Sequence, residues 1–279
     1  MTVGIVGLGL IGGSAAKAYR AAEHTVYAQD RDSSLVDFAI LDGTVNRALT
    51  KNTVTECQLL LICTYPDGVL EFLREWGKCI AKDTLVIDFA GVKGVICPEA
   101  FAIAEACGFT FVGGHPMAGS HRLGYAAARA NLYVGAAMVA VPPRFDSIAL
   151  FARVKEALAP LGFSKITFCT AEEHDAKIAY TSQLAHVVSS AYVKSEQSAH
   201  HRGFSAGSFR DMTRVAYLNE EMWSDLFLCN RAPLLAELDT LIASLTEYRN
   251  AIEDGDRDTL RRLLLDGKQK KIRADRPSQ

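Results

Sequence analysis

One histidine in this sequence stands among small residues that suit a reactive site. His115 lies in the segment Gly-Gly-His-Pro-Met-Ala-Gly-Ser at 113–120, directly after the apolar run 109–112. Glycines let the backbone turn and approach a ligand closely. Histidine is the side chain whose ordinary pKa, about 6.5, permits proton exchange near neutral pH. A lone histidine of this kind is more often a plain loop residue, so its role depends on what other elements bring to it.

A second segment has the composition of a dinucleotide-binding turn. The apolar run 3–6 leads into it, and an alanine-rich helical pattern follows it. Its residues are Gly7, Leu8, Gly9, Leu10, Ile11 and Gly12. In this setting Gly7 makes the tight turn, Gly9 admits a pyrophosphate, and Gly12 lets helix and strand pack closely. The helix N-terminus offers N–H groups and a positive dipole to the phosphates. The alternative is a glycine-rich turn in an unrelated α/β fold.

An acidic residue follows the second predicted strand, which spans 24–29 and ends at Asp30. A carboxylate there accepts hydrogen bonds from both ribose hydroxyls and repels a 2′-phosphate, which favours NAD over NADP. Arg31 tempers this preference, because an arginine can hold the additional phosphate. Thr64 and Tyr65 follow the next strand and are assigned to the same cofactor site.

Strand and helix patterns alternate over residues 1–170 and predict a Rossmann-type α/β domain with a mostly parallel sheet. The predicted strands are 3–6, 24–29, 59–63, 85–88, 109–112, 138–141 and 165–169. Ligands of such sheets bind at the carboxyl ends of strands. The loops after these strands should therefore line one crevice that contains Gly91, a further cofactor contact, and His115.

Helical periodicity replaces strand patterns over 171–279 and predicts an all-α second domain. It should begin with a long helix over 172–200, and its last helix, 256–265, should be followed by a frayed basic tail. Long helices with apolar faces in a small domain usually pack on another subunit. We therefore expect a homodimer formed through the helical domain.

Composition restricts the other partners. The chain has 279 residues, a net charge of −2 and no basic stripe, which argues against nucleic acid and anionic membranes. Its apolar runs are shorter than the ~20 residues of a membrane span, and no export signal is apparent, so we expect a cytoplasmic protein. Seven scattered cysteines indicate free thiols rather than disulfides or a metal site.

A nicotinamide site beside a histidine suggests hydride transfer coupled to proton removal from an alcohol. The helical domain offers two anchors for the substrate. Arg214 could bind a carboxylate in a bidentate manner, with Asp211 three positions earlier holding its guanidinium. His186 lies on an apolar helical face. The alternatives are a surface ion pair for the first and a buried core histidine for the second.

Five segments, in this order and spacing, resemble the prephenate/arogenate dehydrogenase family of tyrosine biosynthesis over nearly the whole chain. They are GIVGLGLIGGS at 4–14, DFAGVKG at 88–94, GGHPMAGS at 113–120, SQLAH at 182–186 and SFRDMTRVA at 208–216. The resemblance implies a Rossmann-type domain and an intertwined, dimeric helical domain. It also implies NAD-dependent oxidative decarboxylation of prephenate to 4-hydroxyphenylpyruvate, of arogenate to tyrosine, or of both.

The resemblance also implies roles for individual residues. His115 resembles the catalytic histidine that is bonded to the ring hydroxyl of the substrate. The positions that match substrate-binding residues are His186, Arg214, Asp211, Gln183, Trp223 and His121. Within this set, His186 matches a histidine near the side-chain end of the substrate, and Arg214 matches the arginine that binds a substrate carboxylate.

The sequence departs from the family pattern at three places. Gly91 stands where the family usually has a serine that hydrogen-bonds the catalytic histidine and the substrate, so another group or water has to orient His115. Gln183 and Ala185 replace the first histidine and the proline of the motif S-H-L-P-H. His121 stands where an acid is often found. These last changes leave open whether prephenate or arogenate is used.

Two other functions remain open from the sequence. One is a different two-domain oxidoreductase acting on β-hydroxyacids or imino acids. Those families typically rely on a lysine of the helical domain, here Lys177 or Lys194. The other is a catalytically silent NAD-binding protein, which the absent hydroxyl at Gly91 makes conceivable.

Overall fold

The structure is a computed structural model, and it describes residues 1–120 and 122–276. Within these residues, one eight-stranded sheet has the order β3-β2-β1-β4-β5-β6-β7-β8. The strands are β1 (Thr2–Val6), β2 (Thr25–Gln29), β3 (Arg47–Ala48), β4 (Leu59–Ile62), β5 (Leu85–Asp88), β6 (Thr110–Pro116), β7 (Ala137–Val141) and β8 (Lys165–Phe168). Neighbouring strands are parallel except β6 and β7, which are antiparallel. The predicted mostly parallel α/β sheet is confirmed, and the two-residue strand β3 was not predicted.

Helices connect the strands and then form the rest of the chain. They are α1 (Leu10–Ala21), α2 (Ser33–Leu41), α3 (Pro66–Trp76), α4 (Cys97–Cys107), α5 (Ile148–Leu158), α6 (Ala171–Ile178), α7 (Ala185–Tyr192), α8 (Gly207–Thr213), α9 (Glu220–Cys229), α10 (Arg231–Glu253) and α11 (Arg257–Ala274). A π-helical segment, Ala179–Leu184, joins α6 to α7. The predicted helical part after the sheet is confirmed.

The central strands are buried on both faces because helices cover both sides of the sheet. Along β4, Leu59 and Leu61 belong to one apolar cluster, whereas Leu60 and Ile62 belong to another. This alternation follows from the two-residue period of a strand. It explains why β4 is an uninterrupted apolar run in the sequence, and it makes the carboxyl end of the sheet a rigid support.

Two helical predictions were wrong in extent. The helix predicted over 172–200 ends at Tyr192, and a short turn follows in which the Ser195 side chain accepts from the Gln197 amide at 3.3 Å. The basic tail is not frayed after residue 265, since α11 continues to Ala274. Ion pairs one turn apart, such as Lys270 with Asp266 at 2.8 Å, accompany this extension.

By its internal contacts the chain divides into two compact units, Met1–Asn230 and Arg231–Gln279. The second unit consists of α10 and α11, which pack on each other. The domain boundary predicted between residues 170 and 171 stays a prediction. Over the described part of the chain, no helix is both long and apolar enough to cross a membrane.

Candidate active site

His115 lies on strand β6 rather than on the loop that was expected after residue 112. Residues 110–112 pair with β5, but 113–116 continue past it and pair with β7, where His115 lies opposite Val139. The Gly114 amide donates to Oδ1 of Asp88 at 3.2 Å, which ties this extension to the end of β5. Because residues 113–116 pair with the antiparallel strand β7, they belong to the sheet, where a loop was expected. The sheet gives His115 a rigid support.

The ring of His115 contacts a second histidine that the sequence analysis did not single out. Its Nδ1 atom lies 2.8 Å from Nε2 of His174, which belongs to α6. Nδ1 of His174 lies 2.6 Å from Oδ1 of Asp175. His174 and Asp175 are only 2% and 5% exposed. The sequence signal for this contact was the adjacent pair His174 and Asp175, which lies in the charged helix that follows the sheet.

Asp175 also ties the loop after β5 to the helical part of the chain. Its Oδ1 atom accepts from the Lys93 amide at 2.9 Å, and its Oδ2 atom accepts from the Gly94 amide at 2.7 Å. The Lys93 ammonium forms an ion pair with Asp88, and both side chains are completely buried. The loop that contains Gly91 is therefore held at both of its ends.

Burial determines the protonation of both histidines. Desolvation lowers the pKa of His115 well below its ordinary value of 6.5, and the neighbouring His174 and Lys93 act in the same direction. Burial also lowers the pKa of His174, although hydrogen bonding to Asp175 opposes this change. Both rings are therefore neutral near pH 7, and His115 is able to accept a proton.

Gly91 lies next to His115, as the sequence predicted. A Cβ atom at this position would lie 3.9 Å from Cε1 of His115 and 3.3 Å from Cδ2 of Leu226 on α9. The glycine leaves this side of the ring without a hydroxyl partner from residue 91. In the structure, His115 makes its hydrogen-bond contact with Nε2 of His174 instead.

Three of the proposed substrate residues come together. His186 of α7 stacks on Trp223 of α9, with ring centroids 3.9 Å apart and planes inclined by 29°. Nδ1 of His186 lies 2.8 Å from the Ser182 carbonyl oxygen. Burial lowers the pKa of His186, and the nearby Arg214 guanidinium lowers it further. This cluster joins an aromatic face, a neutral imidazole and a cation.

Other proposed substrate residues are placed differently. Asp211 and Arg214 are both described, and no ion pair joins them, although Arg214 caps α8 with helical backbone angles, φ −54° and ψ −35°. The expectation that Asp211 holds the Arg214 guanidinium is therefore wrong. His121 lies outside the described residues.

Gln183 is 2% exposed, and both polar atoms of its side-chain amide are hydrogen-bonded within the protein. Its Nε2 atom donates to the Leu226 carbonyl oxygen at 3.2 Å, and its Oε1 atom accepts from Nδ2 of Asn230 at 2.7 Å. Gln183 thereby connects the π-helical segment to the end of α9, the helix that carries Trp223.

The glycine turn after β1 has the geometry of a nucleotide cradle. Gly7 has φ +88°, and a Cβ atom on Gly12 would lie 1.8 Å from the Gly7 carbonyl oxygen. Gly9, in contrast, has nothing within 4 Å of its Cβ position, and it caps α1 without a side-chain hydrogen bond. The helix N-terminus therefore presents unsatisfied amides to open space, which fits a pyrophosphate.

The acidic residue predicted to bind the ribose lies beside the glycine turn. Asp30 accepts from the Leu8 amide at 2.6 Å and from the Asp32 amide at 3.0 Å, so it holds the turn against the end of β2. A carboxylate retains lone pairs for hydroxyl groups after these two bonds. Nη2 of the Arg31 guanidinium lies 3.4 Å from Oε2 of Glu71 on α3. The predicted contacts Thr64 and Tyr65 precede α3, and Tyr65 is 59% exposed.

The cradle, the sheet and the supported histidine define a nucleotide-binding oxidoreductase of the Rossmann type. A family model described as "Prephenate dehydrogenase, nucleotide-binding domain" matches residues 15–166, and one described as "Prephenate dehydrogenase, dimerization domain" matches 170–266. The chain is 31% identical to the cyclohexadienyl dehydrogenase of Zymomonas mobilis over 92% of this chain and 90% of that protein. The chain belongs to the prephenate dehydrogenase family.

Solved structures support the same conclusion. The arogenate dehydrogenase of Synechocystis superposes with a TM-score of 0.83 at 28% identity, covering 98% of this chain and 100% of that one. Prephenate dehydrogenase from Aquifex aeolicus, solved with hydroxyphenyl propionate and NAD+, gives a TM-score of 0.79 at 25% identity, covering 99% and 98%. The predicted family, enzyme class and fold are thereby confirmed.

Proposed function

We propose that this chain catalyses the NAD-dependent oxidative decarboxylation of prephenate, arogenate or both, with His115 as the base. The observation that carries this proposal is a neutral, partly buried His115 whose Nδ1 edge is occupied by His174. A base held this way has one nitrogen committed to the protein and one left for a substrate. Family membership supplies the substrate class.

The reaction requires few groups from the protein. The substrate hydroxyl gives its proton to His115 as hydride leaves the same carbon, and loss of CO2 makes the ring aromatic. Bound NAD supplies the hydride acceptor. Aromatisation provides the driving force, so the protein mainly positions the ring and accepts one proton. The rigid β6 extension suits that task.

The cluster of His186, Trp223 and Arg214 is proposed to bind the substrate side chain. Arg214 would pair with a carboxylate. A carbonyl oxygen only accepts, so Nδ1 of His186 carries the hydrogen in its 2.8 Å contact with Ser182. Nε2 of the neutral ring then accepts. The ammonium group of arogenate can donate to Nε2, whereas the keto oxygen of prephenate cannot, so we expect arogenate to be preferred near neutral pH.

NAD is proposed as the cofactor in preference to NADP. Asp30 stands at the ribose end of the cradle and would repel a 2′-phosphate. The cation that could offset this repulsion, Arg31, lies against Glu71. The carboxylate of Glu71 partly neutralises the arginine and adds negative charge where the phosphate would have to bind.

A homodimer through the helical part is the proposed assembly. The dimerization-domain match covers most of this part. Large apolar side chains on α10 and α11 are exposed in the single chain: Leu235, Ile242, Leu245, Ile252, Leu264, Leu265 and Ile272. Such a surface is typical of a subunit interface. Sedimentation equilibrium should give twice the chain mass, and a monomer at micromolar concentration would oppose the assembly.

The substrate assignment is tested by measuring NAD reduction with prephenate and arogenate side by side. The proposal requires turnover of at least one of them, with a higher kcat/KM for arogenate at pH 7. Turnover of β-hydroxyacids or imino acids alone would favour the other oxidoreductase class. That class has less support here, since Lys177 and Lys194 are both exposed. NAD binding without any turnover would favour a silent binding protein.

A further inference from the structure

His174 and Asp175 lie behind the Nδ1 edge of His115, and the proposed function assigns them no contact with substrate or cofactor. Both are buried, and both belong to α6. A histidine buried against a second histidine needs a reason, because desolvation of a titratable ring without a defined partner is costly. The hydrogen bonds along this chain of three residues provide one.

The positions of the hydrogens follow from the far end of the chain. Both carboxylate oxygens of Asp175 accept backbone N–H groups, from Lys93 at 2.9 Å and from Gly94 at 2.7 Å. With an N–H donor on each oxygen, the Asp175 carboxylate acts only as an acceptor. Nδ1 of His174, 2.6 Å from Oδ1, therefore carries a hydrogen. A neutral imidazole has one N–H, so Nε2 of His174 is an acceptor.

The same reasoning continues to His115. Its Nδ1 atom faces the acceptor Nε2 of His174 at 2.8 Å, so Nδ1 carries the hydrogen of His115. We propose that His174 and Asp175 are positioning residues that fix this tautomer and leave Nε2 of His115 as the atom that accepts the substrate proton. The inference rests on the proposed role of His115 as base, and it adds the atom and the residues that select it.

The charges around the rings suit this role. Asp88, Asp175 and Lys93 face the two histidines, and Lys93 forms an ion pair with Asp88. A proton taken up at Nε2 turns His115 into an imidazolium. The imidazolium then donates more strongly through Nδ1 to His174, whose own N–H remains held by Asp175. His174 therefore remains the hydrogen-bond acceptor for Nδ1 of His115 before and after the proton is taken up.

The contact with His174 also explains how His115 can be oriented although residue 91 is a glycine. A Cβ atom at residue 91 would lie 3.9 Å from Cε1 of His115, whereas Nδ1 of His115 is already in hydrogen-bond contact with His174. In this chain the orienting bond thus comes from α6, and no hydroxyl from residue 91 is required for it.

Two substitutions separate positioning from simple packing. In His174→Gln the amide oxygen can take the place of Nε2 and accept from His115. In His174→Asn the shorter amide can reach Asp175 but leaves nothing opposite His115. We expect His174→Asn to lose about 100-fold in kcat with little change in KM, and His174→Gln to retain at least about 10-fold more of that activity. The acid limb of kcat/KM should move to higher pH in His174→Asn, because burial and His174 both lower the pKa of His115 and the smaller side chain relieves both effects.

The decisive readout does not depend on turnover. Nitrogen-15 spectra of the histidine rings in the full-length, substrate-free protein, assigned with His115→Asn and His174→Gln, report which nitrogen of His115 is protonated. The proposal requires hydrogen on Nδ1 and a bare Nε2. Hydrogen on Nε2 would overturn it, as would equal losses in both His174 variants with an unchanged pH profile. If neither cyclohexadienol is turned over, the proposed function fails while the spectra still decide the tautomer.

Discussion

Nδ1 of His115 and Nε2 of His174 lie 2.8 Å apart although the two residues are 59 positions apart in the chain. The contact joins the end of a sheet strand to the first helix of the helical part. It answers a question that the sequence raised, namely what orients His115 when residue 91 is glycine. A buried ring held by a second ring and a carboxylate has the fixed orientation that a base requires, which supports the proposed role of His115.

Arg214→Ala should raise KM for the cyclohexadienol about 10- to 100-fold, because a charged hydrogen-bonding partner of the carboxylate is lost. The NAD affinity should change little, since Arg214 lies with His186 and Trp223 rather than in the glycine cradle. Steady-state kinetics and NAD titration measure the two effects. Arg210→Ala, one helical turn earlier, is the matched control. An unchanged KM in the first variant would assign the carboxylate to another cation.

The pH dependence of kcat/KM should be level from pH 8 down to the ordinary histidine value and should fall only below 6.5. Burial lowers the pKa of His115, so the neutral base persists to lower pH than for an exposed histidine. The profile is measured with saturating NAD, while circular dichroism monitors folding over the same range. An acid limb above 6.5 would mean that the base is stabilised in its charged form.

The glycine turn allows a test that separates ligand binding from folding. Gly9→Ala adds a methyl group where nothing lies within 4 Å, so its melting temperature should remain near that of the parent protein. Its NAD affinity should fall about 10-fold or more, because the methyl group occupies the approach of the pyrophosphate.

Gly12→Ala is the contrasting variant of the same turn. Its Cβ atom would lie 1.8 Å from the Gly7 carbonyl oxygen, so the fold itself should lose about 2–3 kcal/mol. Urea denaturation and isothermal titration distinguish the two losses. Full NAD affinity in Gly9→Ala would place the pyrophosphate elsewhere.

Cofactor choice should respond to Glu71. Glu71→Gln removes the carboxylate that lies 3.4 Å from Arg31, so kcat/KM with NADP should rise about two- to fivefold, and that with NAD should stay nearly constant. Glu75→Gln, on the same helix but paired with Lys51 at 2.8 Å, is the control and should change neither value. A loss of NAD activity in Glu71→Gln would show that this residue serves the cofactor directly.

The parts of the fold whose signal lies within a short stretch of sequence could be predicted. The turn from Gly7 to Gly12 and the apolar runs of β4 and β5 carry their own signals, because tight turns require glycine and doubly covered strands require apolar residues. The family resemblance also pointed to His115 and to His186, Trp223 and Arg214, and their roles at the site stay predictions.

The features that were missed depend on packing between distant segments. Nothing near His115 in sequence indicates that His174 will dock against it. The extension of β6 depends on pairing with β7, so it was read as a loop. Asp211 and Arg214 keep helical spacing, since Arg214 caps α8 with helical backbone angles, yet their side chains form no ion pair. Each case depends on side-chain partners or strand pairing that residue periodicity does not encode.

The most direct test of the account compares the parent protein with His115→Asn in an assay that follows NAD reduction and CO2 release together. The account predicts one CO2 per NADH for the parent with arogenate, prephenate or both. It predicts that the variant binds NAD normally but loses kcat by about 10²- to 10⁴-fold. An unchanged kcat in the variant would contradict the assignment of His115 as the base.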